Sequence, residues 1–175
     1  MEHQNAISSF TKLYVLCAFA MNCLFLCHPS LNANESTPSH ILFTPPTGWQ
    51  LAEKDEDLPH VQVKVVGKGA HELPPSINLS TESYSGSLKQ YLERIKSINQ
   101  SQGFEWKDLG TIKTAIGPAS LSQVDRKTKW GDLRLLHLIF SRDGVIYILT
   151  AAALKDEFSK FYKDFFDSLS SVHLD

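Results

Sequence analysis

The sequence predicts an α+β fold: an α-β-α sandwich whose mostly antiparallel central sheet is flanked by two main amphipathic helices. Three observations carry this. The second half holds strand-length runs joined by the two-residue turn Asp143-Gly144, a hairpin signal because both positions tolerate positive φ. Two of those runs, Leu133–Ser141 and Val145–Ala153, are apolar on both alternate sets, as strands covered on both sides must be. Two further segments repeat their apolar residues at helical spacing, which supplies the two covering layers.

Along the chain, Ile41-Leu42-Phe43 reads as a short opening strand that runs into the turn Pro45-Pro46-Thr47-Gly48 before Trp49. Val61, Val63 and Val65 alternate with Gln62 and Lys64, the pattern of a half-buried strand. Gly67 to Pro75 is a loop. Ile77, Leu79 and Thr81 then alternate with Asn78, Ser80 and Glu82 in a third strand. Leu88, Tyr91, Leu92, Ile95 and Ile98 line one helical face. Ser87 and Gln90 stand in capping-box spacing before it, and Gly103 stands where the helix should end. Strands are expected at Trp106–Thr114 and Ala119–Arg126 as well. Phe158, Phe161, Tyr162, Phe165, Phe166 and Leu169 form the face of the closing helix, with Asp156 as its cap and as the i,i+4 partner of Lys160. The expected order is β-β-β-α-β-β-β-β-α.

The N-terminus has the order of an export signal. Lys12 precedes the apolar run Leu13–Cys27, and the small residue Ala33 suits a cleavage position. Residues 1–33 are therefore read as a signal peptide, 34–40 as a flexible lead and 41–173 as a single α/β domain. At 15 residues the run is shorter than an ordinary membrane-spanning helix; a retained anchor is the rival reading. Lipidation of Cys27 or Cys23 is disfavoured, because Leu26 and Asn22 precede them where a small residue is needed.

All three cysteines, Cys17, Cys23 and Cys27, fall inside that run. The chain after residue 33 can hold no disulfide, thiolate nucleophile or cysteine-based metal site. It carries 16 basic and 18 acidic residues, a net charge of −2, which argues against a general nucleic-acid or anionic-membrane binder. Three Asn-x-Ser triplets, at Asn34, Asn78 and Asn99, bear on function only in a glycosylating host.

No arrangement of residues announces catalysis. His40, His60, His71, His137 and His173 are widely spaced, without a metal-hydrolase pattern. His137, in line with Leu135 and Ile139, reads as a partly buried core histidine. Gly67-Lys68-Gly69 lacks the rest of a phosphate cradle. The acidic run Glu53, Asp55, Glu56, Asp57 before His60 lacks calcium-loop spacing. No catalytic, metal or cofactor residue is assigned. The most suggestive surface is Arg126, Lys127, Lys129, Trp130 and Arg134, since tryptophan and arginine are favoured at interface hot spots. Its alternative is a solvated hairpin whose Trp130 folds back on the sheet.

Three stretches carry a family resemblance: Phe43-Thr44-Pro45-Pro46-Thr47-Gly48-Trp49, the strand Val145–Ala152 with its Thr150-Ala151, and the aromatic tail Phe158–Leu169. The chain resembles the PsbP-like and DcrB-like proteins, which share a fold with the Mog-type Ran-binding proteins. The resemblance implies a compact α-β-α sandwich, commonly exported in bacteria, non-enzymatic and cofactor-free. It implies an accessory or adaptor role in the periplasm or envelope, docking on a protein assembly. The second functional reading is a periplasmic carrier of a small ligand or lipid, with a pocket between sheet and helix lined by Tyr91, Phe161 and Phe165. Neither reading sets the oligomeric state or the partner.

Overall fold

A computed structural model describes residues 41–53 and 60–175. The export segment, the lead 34–40 and Asp55–Asp57 of the acidic run lie outside these residues.

A seven-stranded sheet organises the described chain. Its strands are β2 (Gln50–Leu51), β3 (Val61–Val66), β4 (Ser76–Ser83), β5 (Glu105–Thr114), β6 (Gly117–Thr128), β7 (Gly131–Arg142) and β8 (Val145–Leu154). Their spatial order is β2-β3-β4-β8-β7-β6-β5, and every neighbouring pair is antiparallel. Helix α1 (Leu88–Ser101) lies between β4 and β5 in sequence, and helix α2 (Phe158–Ser170) follows β8. The α+β reading and the two covering helices are as the sequence predicts.

The two helices bury opposite faces, and strand alternation decides which residues meet which helix. Leu136, Leu138 and Phe140 of β7, with Leu149 and Ala151 of β8 and Ile77 and Leu79 of β4, pack with Phe158, Phe165 and Leu169 of α2. The intervening residues Ile139, Ile146 and Ile148 meet Tyr91 and Ile95 of α1. A second apolar cluster shares the α1 side: Leu73, Val124, Leu133, Leu135, Ala152 and Leu154, with Phe104, Trp106 and Trp130 against it.

Local signals set the turns. Gln90 N–H donates to Ser87 Oγ at 3.3 Å while Ser87 N–H donates to Gln90 Oε1 at 2.9 Å, so the capping box forms and satisfies two otherwise orphaned donors. The β7–β8 hairpin turns at Asp143 (φ 51°) and Gly144 (φ 75°), the left-handed geometry that an Asp-Gly pair adopts at low cost.

Several features differ from expectation, among them the edge strand β2, which has no sequence signal. The opening strand β1 (Ile41–Leu42) stays outside the main sheet and pairs antiparallel with β9 (His173–Leu174), which has no sequence signal. Phe43 lies beyond that strand, yet it is buried with Ile41 in the α2-side core. β4, despite its alternating apolar and polar residues, is buried from Ser76 to Ser80 on both faces beside the central β8. Asp156 does not cap α2. Glu157 occupies the N-cap position without a side-chain cap bond, and Asp156 instead faces His71 at 3.3 Å. Lys160 approaches Glu157 at 3.6 Å rather than Asp156. The buried Glu157 carboxylate accepts the Ala70 N–H at 3.0 Å, which ties the loop after β3 to the start of α2. A long-range acceptor role has displaced the local cap. Gly69 permits that approach, since a Cβ there would stand 2.9 Å from Pro75 and 3.1 Å from Glu157.

Candidate functional site

The expected binding residues lie at the far end of the β6–β7 hairpin. Thr128 and Gly131 are ladder partners, so Lys129 and Trp130 form a two-residue tip. The Thr128 hydroxyl fixes it, donating to the Gly131 carbonyl at 2.8 Å and accepting the Trp130 N–H at 3.2 Å. Gly131 takes φ +126°, a conformation that disfavours side chains. The hairpin runs past both neighbours: β5 pairs with β6 only from Asp125 backward, and β8 pairs with β7 only from Leu133 onward. The tip is therefore a protruding, hydrogen-bonded end.

The structure divides the five residues. Arg126 is buried on the α1 face, its guanidinium 5.7 Å from the Phe104 ring centroid. Trp130 is half-buried on the same side against the Leu73 and Val124 cluster, and the Lys129 ammonium sits 4.3 Å over its ring. Lys127 is exposed. Arg134 lies on the opposite face, 5.6 Å from the Phe158 ring. There its guanidinium grips Asp125 with both arms, Nε to Oδ1 at 2.8 Å and Nη2 to Oδ2 at 2.6 Å. Lys155 adds a third contact to Asp125 at 3.0 Å. Burial alone would raise the Asp125 carboxyl, but the hydrogen bonds from Arg134 and Lys155 outweigh it and hold it below 3.8. Arg134 is raised by the same bond. Arg134 is thus committed to an internal ion pair and Trp130 folds back on the sheet, whereas Lys127 and Lys129 are exposed beside or at the tip.

The pocket envisaged between sheet and helix does not form from its named residues. Tyr91 belongs to the α1-side core, while Phe161 and Phe165 pack on the α2 side, so the sheet separates them. Tyr91 also donates its hydroxyl to Glu82 at 2.8 Å.

A second locus depends on register. Asn78 of β4 pairs with Thr150 of β8, Thr150 with His137 of β7, His137 with Ser122 of β6, and Ser122 with Asp108 of β5. This gives one continuous polar row across the α1 face. Apolar rows bound it on both sides, Ile148–Ile139 towards α1 and Ala152–Leu135–Val124 away from it. His137 is half-buried, as its strand position predicts. Its Nδ1 lies 3.0 Å from Thr150 Oγ1, and the Trp106 ring lies nearly parallel to it, 14° between planes and 6.5 Å between centroids. Burial, helped by the Arg126 charge, pushes the imidazole down to about 4. Sequence reading identified His137 but not its row, because cross-strand neighbours emerge only from register. Among the described residues no group of three or more His, Cys, Asp or Glu side chains could hold a metal. No described helix is long and apolar enough to cross a membrane.

No family model matches the chain, and no curated protein matches it. Solved structures do. LpqN of Mycobacterium tuberculosis, described as involved in cell envelope biogenesis, is similar with a TM-score of 0.55 and 15% identity, over 80% of this chain and 87% of that one. The Ran-binding protein Mog1p of Saccharomyces cerevisiae is similar with a TM-score of 0.53 and 15% identity, over 77% of this chain and 89% of that one. Cyanobacterial PsbP from Synechocystis aligns at 0.48 and 12% identity, over 83% and 98%. What is shared at such identities is the fold, and in fold this chain is similar to the Mog-type proteins.

Proposed function

We propose that the chain is an exported, non-enzymatic adaptor of the PsbP/DcrB-like type, a single domain from Ile41 to His173 that docks on a protein assembly of the bacterial envelope. The observation that carries this reading is the β6–β7 tip, a projecting and hydrogen-bonded end that presents Lys127 and Lys129 beside the half-buried Trp130. A rigid aromatic beside a cation loses little conformational entropy on binding, which favours hot-spot contacts. Similarity in fold to a Ran-binding protein and to a protein involved in cell envelope biogenesis supports a protein partner and a role at the envelope. The apolar run Leu13–Cys27 and Ala33 supply the route of export.

Photo-crosslinking in cells tests the docking surface. A photoreactive residue at position 129 is expected to capture one dominant partner, and the same residue at position 89, exposed on α1, is expected to capture none. Equal capture from both positions, or none from 129, rejects docking through the tip. N-terminal sequencing of the chain recovered from the periplasm tests export. Asn34 as first residue is expected, and an intact Met1 in the cytosolic fraction would sink this part of the reading.

A further inference from the structure

The polar row on the α1 face has no role in docking through the tip. Sheet centres covered by a helix normally present apolar side chains, because an unpaired buried polar group costs about 1–3 kcal/mol. Here Asn78, Thr150, His137 and Ser122 cross four central strands in succession. With strands about 4.8 Å apart the row is roughly 14 Å long.

Its hydrogen-bonding capacity is largely unused. Ser122 is 1% exposed, and its hydroxyl has no partner among the described residues; the same holds for Ser76, one row away on the same face. His137 engages Nδ1 with the Thr150 hydroxyl at 3.0 Å. His137 and Thr150 nonetheless remain half-buried on the two middle strands. Helix α1 covers the isoleucine row above them, Leu73 and Trp130 cover the row below, and the Trp106 ring packs against both clusters beside His137.

We propose that this row is a binding site for a small, uncharged, hydroxyl-bearing ligand such as a sugar or polyol, with Trp106 closing its β5 end. Two hydroxyls, a carboxamide and a neutral imidazole can each donate and accept, which matches a ligand whose hydroxyls do both. The His137 ring is neutral at physiological pH, so it attracts no anion. Acidic groups near the row are already engaged: Glu82 by Tyr91 and Arg94, and Asp108 by the Gly110 N–H at 2.8 Å. Lys64, opposite Asn78, stands at the outer end of the row. Flanking Trp106 adds the apolar wall that suits the C–H face of a sugar ring.

The test is titration of the isotope-labelled chain, as purified from cells, with glucose and myo-inositol, followed by NMR. Glucuronate and glucosamine serve as charged counterparts. Saturable shifts at the His137 ring and the Asn78 side-chain amide are expected for the neutral probes below roughly 10 mM, with weaker shifts for the charged ones. Ser122→Ala and Thr150→Val are expected to weaken binding about tenfold each, while Lys163→Ala, exposed on α2 at the opposite face of the sheet, leaves it unchanged. The Ser122 variant removes a hydroxyl that bonds no described residue, so an otherwise unaltered spectrum is expected and a lost signal reports on the site. No saturable shift for either neutral probe, equal response to the charged ones, or full binding by both variants overturns the proposal.

Discussion

Phe165→Ala is expected to destabilise the fold by about 3–5 kcal/mol, the range for truncating a buried phenylalanine. Phe165 is fully buried at the middle of α2 and touches three aromatic rings: Trp49 at 5.9 Å, Phe158 at 5.1 Å and Phe161 at 6.0 Å between centroids. The neighbours cannot close the cavity, because Trp49 is held by the opening loop and Phe158 by the first turn of the helix. Domains of this kind have total stabilities of about 5–15 kcal/mol. Thermal unfolding followed by circular dichroism should therefore shift down by roughly 10–15 °C. Phe165→Leu, which keeps most of the volume, should lose about 1 kcal/mol. An alanine variant within a degree or two of the parent would contradict the placement of α2 on the sheet.

Asp125→Asn is the second large effect, expected at about 2–3 kcal/mol at neutral pH. The substitution preserves shape but leaves the half-buried Arg134 guanidinium and Lys155 without their shared anion. It carries a pH signature. The folded carboxyl titrates below its ordinary 3.8, so its stabilisation is complete above 3.8 and is lost as pH falls through the folded value. Denaturant unfolding of parent and variant should thus differ by a constant amount between pH 5 and 8. The two should converge in strong acid. A gap that persists unchanged below pH 3.8 would assign the loss to packing rather than to charge.

Much of the fold was legible because it rests on short-range rules. The capping box at Ser87 and Gln90 and the Asp143-Gly144 turn obey rules spanning a few residues, so they survive into the structure unchanged. The period of two in Val61–Val66 and the helical period of Leu88–Ile98 reflect which side of an element faces water. The candidate binding run was less legible. Arg126 and Arg134 look alike in sequence, yet the two-residue tip at 129–130 sets a register that sends them to opposite faces of one sheet. The Asp156 cap failed because Glu157, its neighbour, found a better partner in the Ala70 N–H of a loop 87 residues away.

Taken alone, the sequence determined the types and order of the longer elements and the two covering helices, set by local backbone preference and by periodic burial, while the two-residue strands β2 and β9 left no such signal. Tertiary structure decided which strands are neighbours, that Ile41–Leu42 pairs with the chain's other end, and that Tyr91 and Phe165 lie on opposite sides of the sheet. It alone aligned Asn78, Thr150, His137 and Ser122, four residues with nothing in common along the chain. Their proximity comes from cross-strand hydrogen bonding, whose register is fixed by burying both faces of β7 and β8 together and by no property of any one segment.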